Sequence, residues 1–138
     1  MTAPLLEILA YEQTPLGPLC LRRRELLSEP GTIVTEITLN HAFLMSSLHT
    51  DSERVLAERA CELHGGEDLN VLIGGLGLGH TAHAALSSQN VANVNVVELL
   101  PEVIDWMKSG LLPLSEQLNS DERLQITHDD VYELLSRA

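Results

Sequence analysis

The sequence predicts an α/β protein in which an antiparallel β element precedes a parallel sheet covered by helices. Three observations carry that expectation. Residues 5–45 hold short apolar or β-branched runs separated by turn residues. From residue 69 the pattern becomes strand, helix, strand, helix, strand, helix, the alternation that builds a parallel sheet. A glycine run, Gly74-Gly75-Leu76-Gly77-Leu78-Gly79, joins the first of those strands to its helix, and Glu98 ends the second strand.

Residues 1–48 read as an N-terminal β meander or hairpin. Residues 5–12 are apolar and acidic, and Thr14-Pro15-Leu16-Gly17-Pro18 is turn chemistry. A second strand, Leu19-Cys20-Leu21-Arg22-Arg23-Arg24, is followed by a turn at Ser28-Glu29-Pro30-Gly31. Residues 32–39 are rich in β-branched side chains, the favoured strand composition. Arg22, Arg23 and Arg24 alternate between strand faces, so they favour salt bridges to glutamates or a solvated edge over one basic patch.

Residues 49–138 read as a connecting helix and a partial, Rossmann-like βαβαβα unit that lacks later strands. Asp51 or Ser52 can cap a helix to about His64, and Gly65-Gly66 can end it. Val55, Leu56, Arg59, Ala60 and Leu63 lie at helical spacing. Strand 69–73, a helix over about 79–88, strand 94–98, a helix over about 101–108, strand 124–128 and a helix over about 129–137 follow. Pro101 sits in a first helical turn, where its missing N–H costs nothing. Asp129 or Asp130 can open the last helix. The expected strand order is 3-2-1, with right-handed crossovers.

Composition narrows the partners. The chain has 138 residues, 44% apolar, with 8 basic and 20 acidic side chains for a net charge of −12. That balance argues against nucleic acid and against anionic membrane, both of which demand cationic surface. It is compatible with a cationic substrate. No apolar run approaches the roughly 20 residues of a membrane span. No signal peptide is read at the N-terminus. Cys20 and Cys61 stand apart and form no metal or disulfide motif, so a cytoplasmic setting is expected.

The glycine turn carries the chemistry. Glycine tolerates the positive φ of a tight strand-to-helix turn and lets a ligand approach the backbone. The helix start beyond it offers unpaired N–H groups. An acid at the tip of the next strand accepts hydrogen bonds from a ribose diol, the role open to Glu98. The dinucleotide fingerprint is G-x-G-x-x-G, whereas here Gly75-x-Gly77-x-Gly79 places His80 where the third glycine would fall. That spacing suits S-adenosylmethionine folds and speaks against an NAD-dependent oxidoreductase. A turn that holds nothing remains the alternative.

Residues 71–79, together with Val96-Val97-Glu98-Leu99-Leu100-Pro101-Glu102-Val103-Ile104, resemble the polyamine aminopropyltransferases. Spermidine synthase is the best-known member of this branch of the class I S-adenosylmethionine-dependent methyltransferase fold. Arg123-Leu124-Gln125-Ile126-Thr127-His128-Asp129-Asp130-Val131 resembles the family's third strand and the acidic turn after it. Residues 39–47 resemble the hairpin before the nucleotide domain.

The resemblance implies a cofactor loop at Gly75, Gly77 and Gly79, with Glu98 on the ribose hydroxyls. It implies Asp130 at the adenine amino group and Val131 beside it. It further implies S-adenosylmethionine or its decarboxylated form as cofactor, and a small-molecule substrate such as a polyamine. Three positions depart from the family pattern. Gly77 stands where an acid usually helps hold the amine end of cofactor or substrate. Leu100 stands for an aspartate and Asp129 for a glycine.

Family members continue into a fourth strand that carries the aspartate read as general base. The sequence stops at Ala138, before that strand, so no catalytic residue is assigned. Strand 69–73 would be left with one bare edge. Either the chain is a fragment of a longer enzyme, or another chain, in a homo-oligomer for example, covers that edge. A non-catalytic binding or assembly module that retains the fold is the rival function.

Other candidates carry less. His80 and His83, at i and i+3, could face one ligand, but two histidines do not make a metal site. His41, His49, His64 and His128 show no ligand spacing. Asp51 and Glu53 fall where the family's substrate-facing helix begins, and equally suit first-turn acids. Trp106 and Met107 read as packing.

Overall fold

Hairpins form at the N-terminal end where the sequence supplies turn chemistry between β-rich runs. A computed structural model describes residues 3–137, so residues 1, 2 and 138, at the outer ends of the two expected segments, lie outside the described residues. The chain divides into two units, Met1–His49 and Thr50–Ala138.

In the first unit, β1 (Leu6–Thr14), β2 (Gly17–Glu25), β3 (Ile33–Leu39) and β4 (Ala42–Ser46) form an antiparallel sheet in the order β1-β2-β3-β4. Thr14 closes the first turn: its hydroxyl donates to the Gly17 carbonyl at 2.7 Å and accepts from the Leu16 N–H at 3.1 Å. Asn40 and His41 turn β3 into β4 with φ of 52° and 67°. Two successive positive-φ residues match the twist of the flanking strands. Leu19, Leu21 and Ile37 are fully buried.

The arginine run splits between the two faces of the sheet. Arg22 Nε and Arg24 Nε lie 3.2 and 2.6 Å from Glu36 Oε1 on the paired strand, and Glu36 is almost wholly buried. Arg23 pairs with Glu7 at 2.6 Å.

In the second unit, α1 (Asp51–His64) starts after Thr50, which occupies the N-cap without a side-chain hydrogen bond. Neither Asp51 nor Ser52 is the cap. Asp51 and Glu53 sit in the first turn, where the helix dipole favours their charge. Gly65, at φ 68°, ends the helix and donates its N–H to the Cys61 carbonyl. The strands β5 (Leu69–Gly74), β6 (Val91–Glu98) and β7 (Leu124–His128) form a parallel sheet in the order β5-β6-β7, which is the expected 3-2-1 arrangement.

The intervening helices are α2 (His80–Leu86), α3 (Pro101–Lys108), α4 (Ser115–Asn119) and, after β7, α5 (Val131–Arg137). The central strand is buried at Val94, Val96, Val97 and Glu98, and Ala85, Trp106, Met107 and Leu118 complete the core. Trp106 and Met107 are thus packing residues.

Several boundaries differ from the sequence expectation by a few residues, and two of them, together with one additional helix, have a clear physical reason. β6 begins at Val91, ahead of the expected 94, because Asn93, which breaks the apolar pattern, serves as a cross-strand partner, as Asn95 does further along. Asn93 donates to Asn70 at 2.8 Å, and Thr127 donates to Asn95 at 3.1 Å. α2 ends at Leu86, whose carbonyl accepts from Arg123 at 2.8 Å. α4 was not expected, being too short to show a period.

Among the described residues β5 pairs only with β6. A groove of about 680 Å³ runs along the other edge of β5, between it and α1, from Glu67 to Gly75. Leu72 is 45% exposed there. No helix among the described residues is long and apolar enough to cross a membrane.

Candidate nucleoside site at the strand tips

Parallel register brings the three C-terminal strand ends level. Gly74 pairs with Val97, and Glu98 pairs with His128. The glycine loop, Glu98 and the Asp129–Asp130–Val131 turn therefore meet at one end of the sheet, the position where open α/β sheets bind ligands.

Glu98 is the hub. Its Oε1 accepts the Leu76 N–H at 2.8 Å, and its Oε2 accepts the Leu100 N–H at 3.0 Å. Its own carbonyl accepts the Asp129 N–H at 3.2 Å. The side chain is buried. One carboxylate thus ties the glycine loop to the start of α3. A carboxylate offers about four lone-pair sites, so each oxygen retains one for a further donor such as a hydroxyl.

The glycines serve distinct needs. Gly75, Gly77 and Gly79 have φ of 100°, 54° and 90°, the left-handed region that suits glycine. A Cβ on Gly75 would meet nothing within 4 Å, so this backbone is open to close approach. A Cβ on Gly79 would lie 2.5 Å from Leu118 Cδ1, so Gly79 lets α4 pack against the turn. A Cβ on Gly74 would lie 3.3 Å from both Cγ atoms of Val131. Val131 therefore leans over the end of β5. Leu76 and Leu78 are buried and anchor the loop from beneath.

Asp130 caps α5. Its Oδ1 accepts the Tyr132 N–H at 2.9 Å and the Glu133 N–H at 3.4 Å. Oδ2 makes no hydrogen bond among the described residues. Asp129 accepts the Asp130 N–H at 2.8 Å and pairs with Arg137 at 2.6 Å. Those two contacts hold its carboxyl below the usual carboxylate range.

Sequence reasoning missed the grip on the β6–α3 turn from its far side. His128 Nε2 lies 3.1 Å from the Leu99 carbonyl oxygen. A carbonyl only accepts, so this nitrogen carries the proton. The signal available was a histidine at the last position of a strand beside Glu98.

His80 Nε2 is buried without a partner, and burial lowers the pKa of this histidine against the raising effect of Glu53. Among the described residues no group of three or more His, Cys, Asp or Glu side chains is arranged to hold a metal ion.

Fold and site together define an α/β unit of truncated Rossmann type with a glycine turn and a buried acid at adjacent strand tips. Solved structures narrow the class: the chain has a spermidine synthase-like fold. It matches spermidine synthase from Thermotoga maritima with a TM-score of 0.74 at 18% identity, over 95% of this chain and 43% of that one. A spermidine synthase in complex with the transition-state analogue AdoDATO matches with a TM-score of 0.69 at 16% identity, over 95% of this chain and again 43% of the other. The chain thus spans less than half the length of these structures. No protein-family model matches it, and no curated protein sequence matches it.

Proposed function

We propose that the chain forms the nucleoside-binding part, residues 49–138, of an alkyl transferase of the spermidine synthase-like group. Its cofactor is S-adenosylmethionine or the decarboxylated form. The observation that carries the reading is the meeting of Gly75, Glu98, Asp130 and Val131 at adjacent parallel strand tips.

In this reading the open face of Gly75 admits the cofactor backbone-close, and the free lone pairs of Glu98 accept the ribose hydroxyls. Asp130 Oδ2 accepts the adenine amino group, and Val131 lies against the ring. Gly77 and Gly79 shape the loop. Cofactor and loop thereby orient the sulfonium carbon for in-line attack. When bound, that cofactor would offer its sulfonium-linked carbon to the acceptor's lone pair, with the neutral thioether as the leaving group. The acceptor is a small molecule such as a polyamine amine, whose proton must pass to a base that no residue here is assigned to be. A cytoplasmic setting and a homo-oligomer covering the β5 edge belong to the same proposal.

A second reading is favoured by the leucines at positions 76 and 78 around Gly77, a loop without an acid. It makes the chain a non-catalytic binding or assembly module. Calorimetry of the full chain with S-adenosylmethionine, its decarboxylated form and methylthioadenosine separates the two. Binding of any of them, lost on Gly75→Leu, supports the first. No heat with all three abandons it for the second.

A further inference from the structure

The turn from β6 into α3 is gripped from both sides. Glu98 Oε2 accepts the Leu100 N–H at 3.0 Å, while His128 Nε2 donates to the Leu99 carbonyl at 3.1 Å. The two grips act on groups flanking a single peptide link. Their owners, Glu98 and His128, are themselves paired in the sheet register. The Asp129 N–H, one residue beyond His128, donates to the Glu98 carbonyl at 3.2 Å. Strand tip, turn and carboxylate therefore form one closed circuit of hydrogen bonds across β6 and β7.

A circuit of this kind has consequences for the carboxylate. Glu98 reaches Leu76 with one oxygen and Leu100 with the other. If the turn carrying Leu100 shifts, the carboxylate plane must rotate or surrender one partner. The orientation of its remaining lone pairs then changes too. Hydrogen bonds weaken steeply with misalignment, so a modest rotation matters.

We propose that His128 is a positioning residue for the strand-tip site: by holding the Leu99 carbonyl it fixes the β6–α3 turn, and through Leu100 it fixes the direction in which Glu98 meets a ligand. The proposal rests on the nucleoside reading for its effect on binding, but not for its effect on the turn. It requires a donor at the position of Nε2 and nothing else of the imidazole. A glutamine at 128 places an amide N–H at a similar reach, whereas a leucine fills similar space without a donor.

The experiment uses the full chain and three forms: wild type, His128→Gln and His128→Leu. Calorimetry with methylthioadenosine reads binding, and amide exchange without ligand reads the Leu100 and Leu76 N–H groups. One exposed hydrogen bond acting indirectly sets an expected loss of about two- to five-fold in affinity for His128→Leu. His128→Gln is expected within about two-fold of wild type, and Leu100 to exchange faster in His128→Leu alone. Equal affinities in all three forms, or a glutamine variant as impaired as the leucine one, overturn the proposal. If wild type binds no methylthioadenosine, the nucleoside reading fails, and the exchange data decide the turn by themselves: faster Leu100 exchange in His128→Leu than in His128→Gln upholds the grip, and equal exchange removes it.

Discussion

Glu98 holds the backbone of Leu76: the carboxylate oxygen Oε1 stands 2.8 Å from the Leu76 amide nitrogen, within the sheet core end and shielded from water. The glycine loop is therefore held to one shape by a buried acceptor. Its three positive-φ glycines supply the freedom to turn, and one acid removes that freedom again. Removing the acid leaves two amides, Leu76 and Leu100, without their acceptor. Glu98→Ala is expected to lower unfolding free energy by about 2–3 kcal/mol. Glu98→Gln keeps one acceptor but turns an NH₂ toward the other amide, so its loss should be intermediate. Urea denaturation of the three proteins checks this order, and an alanine variant as stable as wild type would remove Glu98 from the loop's support.

Gly75 and Gly79 share a left-handed backbone but not a neighbourhood. An added Cβ at Gly75 meets open space, so Gly75→Ala carries backbone strain alone, about 1–2 kcal/mol. At Gly79 the same Cβ runs into Leu118, which is buried and cannot swing aside into solvent. Gly79→Ala should therefore destabilise by about 1 kcal/mol more than Gly75→Ala, the overpacking cost. Leu118→Ala in the Gly79→Ala background should cost less than the sum of the two single changes, because the methyl fills part of the space left behind. Additive thermal shifts would contradict the contact.

Much of this site is legible in the sequence because side chains carry it. Glycines at fixed spacing mark the turn, and Glu98 at the end of an apolar run marks the next strand tip. Asp130 is legible twice over, since an aspartate three residues before Glu133 is also a helix-start signature, and capping is the contact its Oδ1 makes. What Glu98 grips is not legible: Leu76 and Leu100 contribute backbone amides, which every residue except proline possesses. The same blindness hides the Leu99 carbonyl held by His128.

The fold was readable to a similar depth. Apolar runs set between turn residues find β1 and β2, β-branched content finds β3, and the regular exchange of strand and helix patterns finds the parallel strands. Asn93 conceals the start of β6 because a polar residue on a solvent-facing cross-strand pair looks, in one dimension, like a loop residue. α4 has five residues, too few for a helical period to emerge.

The Glu36 cluster predicts acid sensitivity in the N-terminal sheet. Burial pushes the Glu36 carboxyl upward, but the guanidinium groups of Arg24 and Arg22 outweigh it and leave its pKa below the ordinary value. A carboxyl depressed in the folded state binds protons more weakly there than in the unfolded chain. Its stabilisation is therefore complete above the ordinary glutamate value of about 4.3 and drains away as pH falls below it through the folded value. Glu36→Gln should flatten that loss. Amide exchange at Leu21 and Ile37 between pH 5 and pH 3 measures it, and an equal loss in wild type and variant would exclude Glu36 as the cause.

His80 predicts a second, separate pH dependence at the glycine turn's helix. Burial disfavours the charged imidazole and lowers its pKa from 6.5, although Glu53 pulls the other way. Its Nε2 is enclosed without a partner, so a proton placed there gains no hydrogen bond to offset the lost hydration. Between the folded and unfolded values the unfolded chain binds more protons, so stability rises with pH across that window. Wild type should lose stability as pH falls from about 7 to 5.5, and His80→Phe, which cannot be protonated, should lose less over the same interval. Urea midpoints read from Trp106 fluorescence at both pH values supply the comparison. An equal loss in wild type and His80→Phe would exclude His80 as the cause.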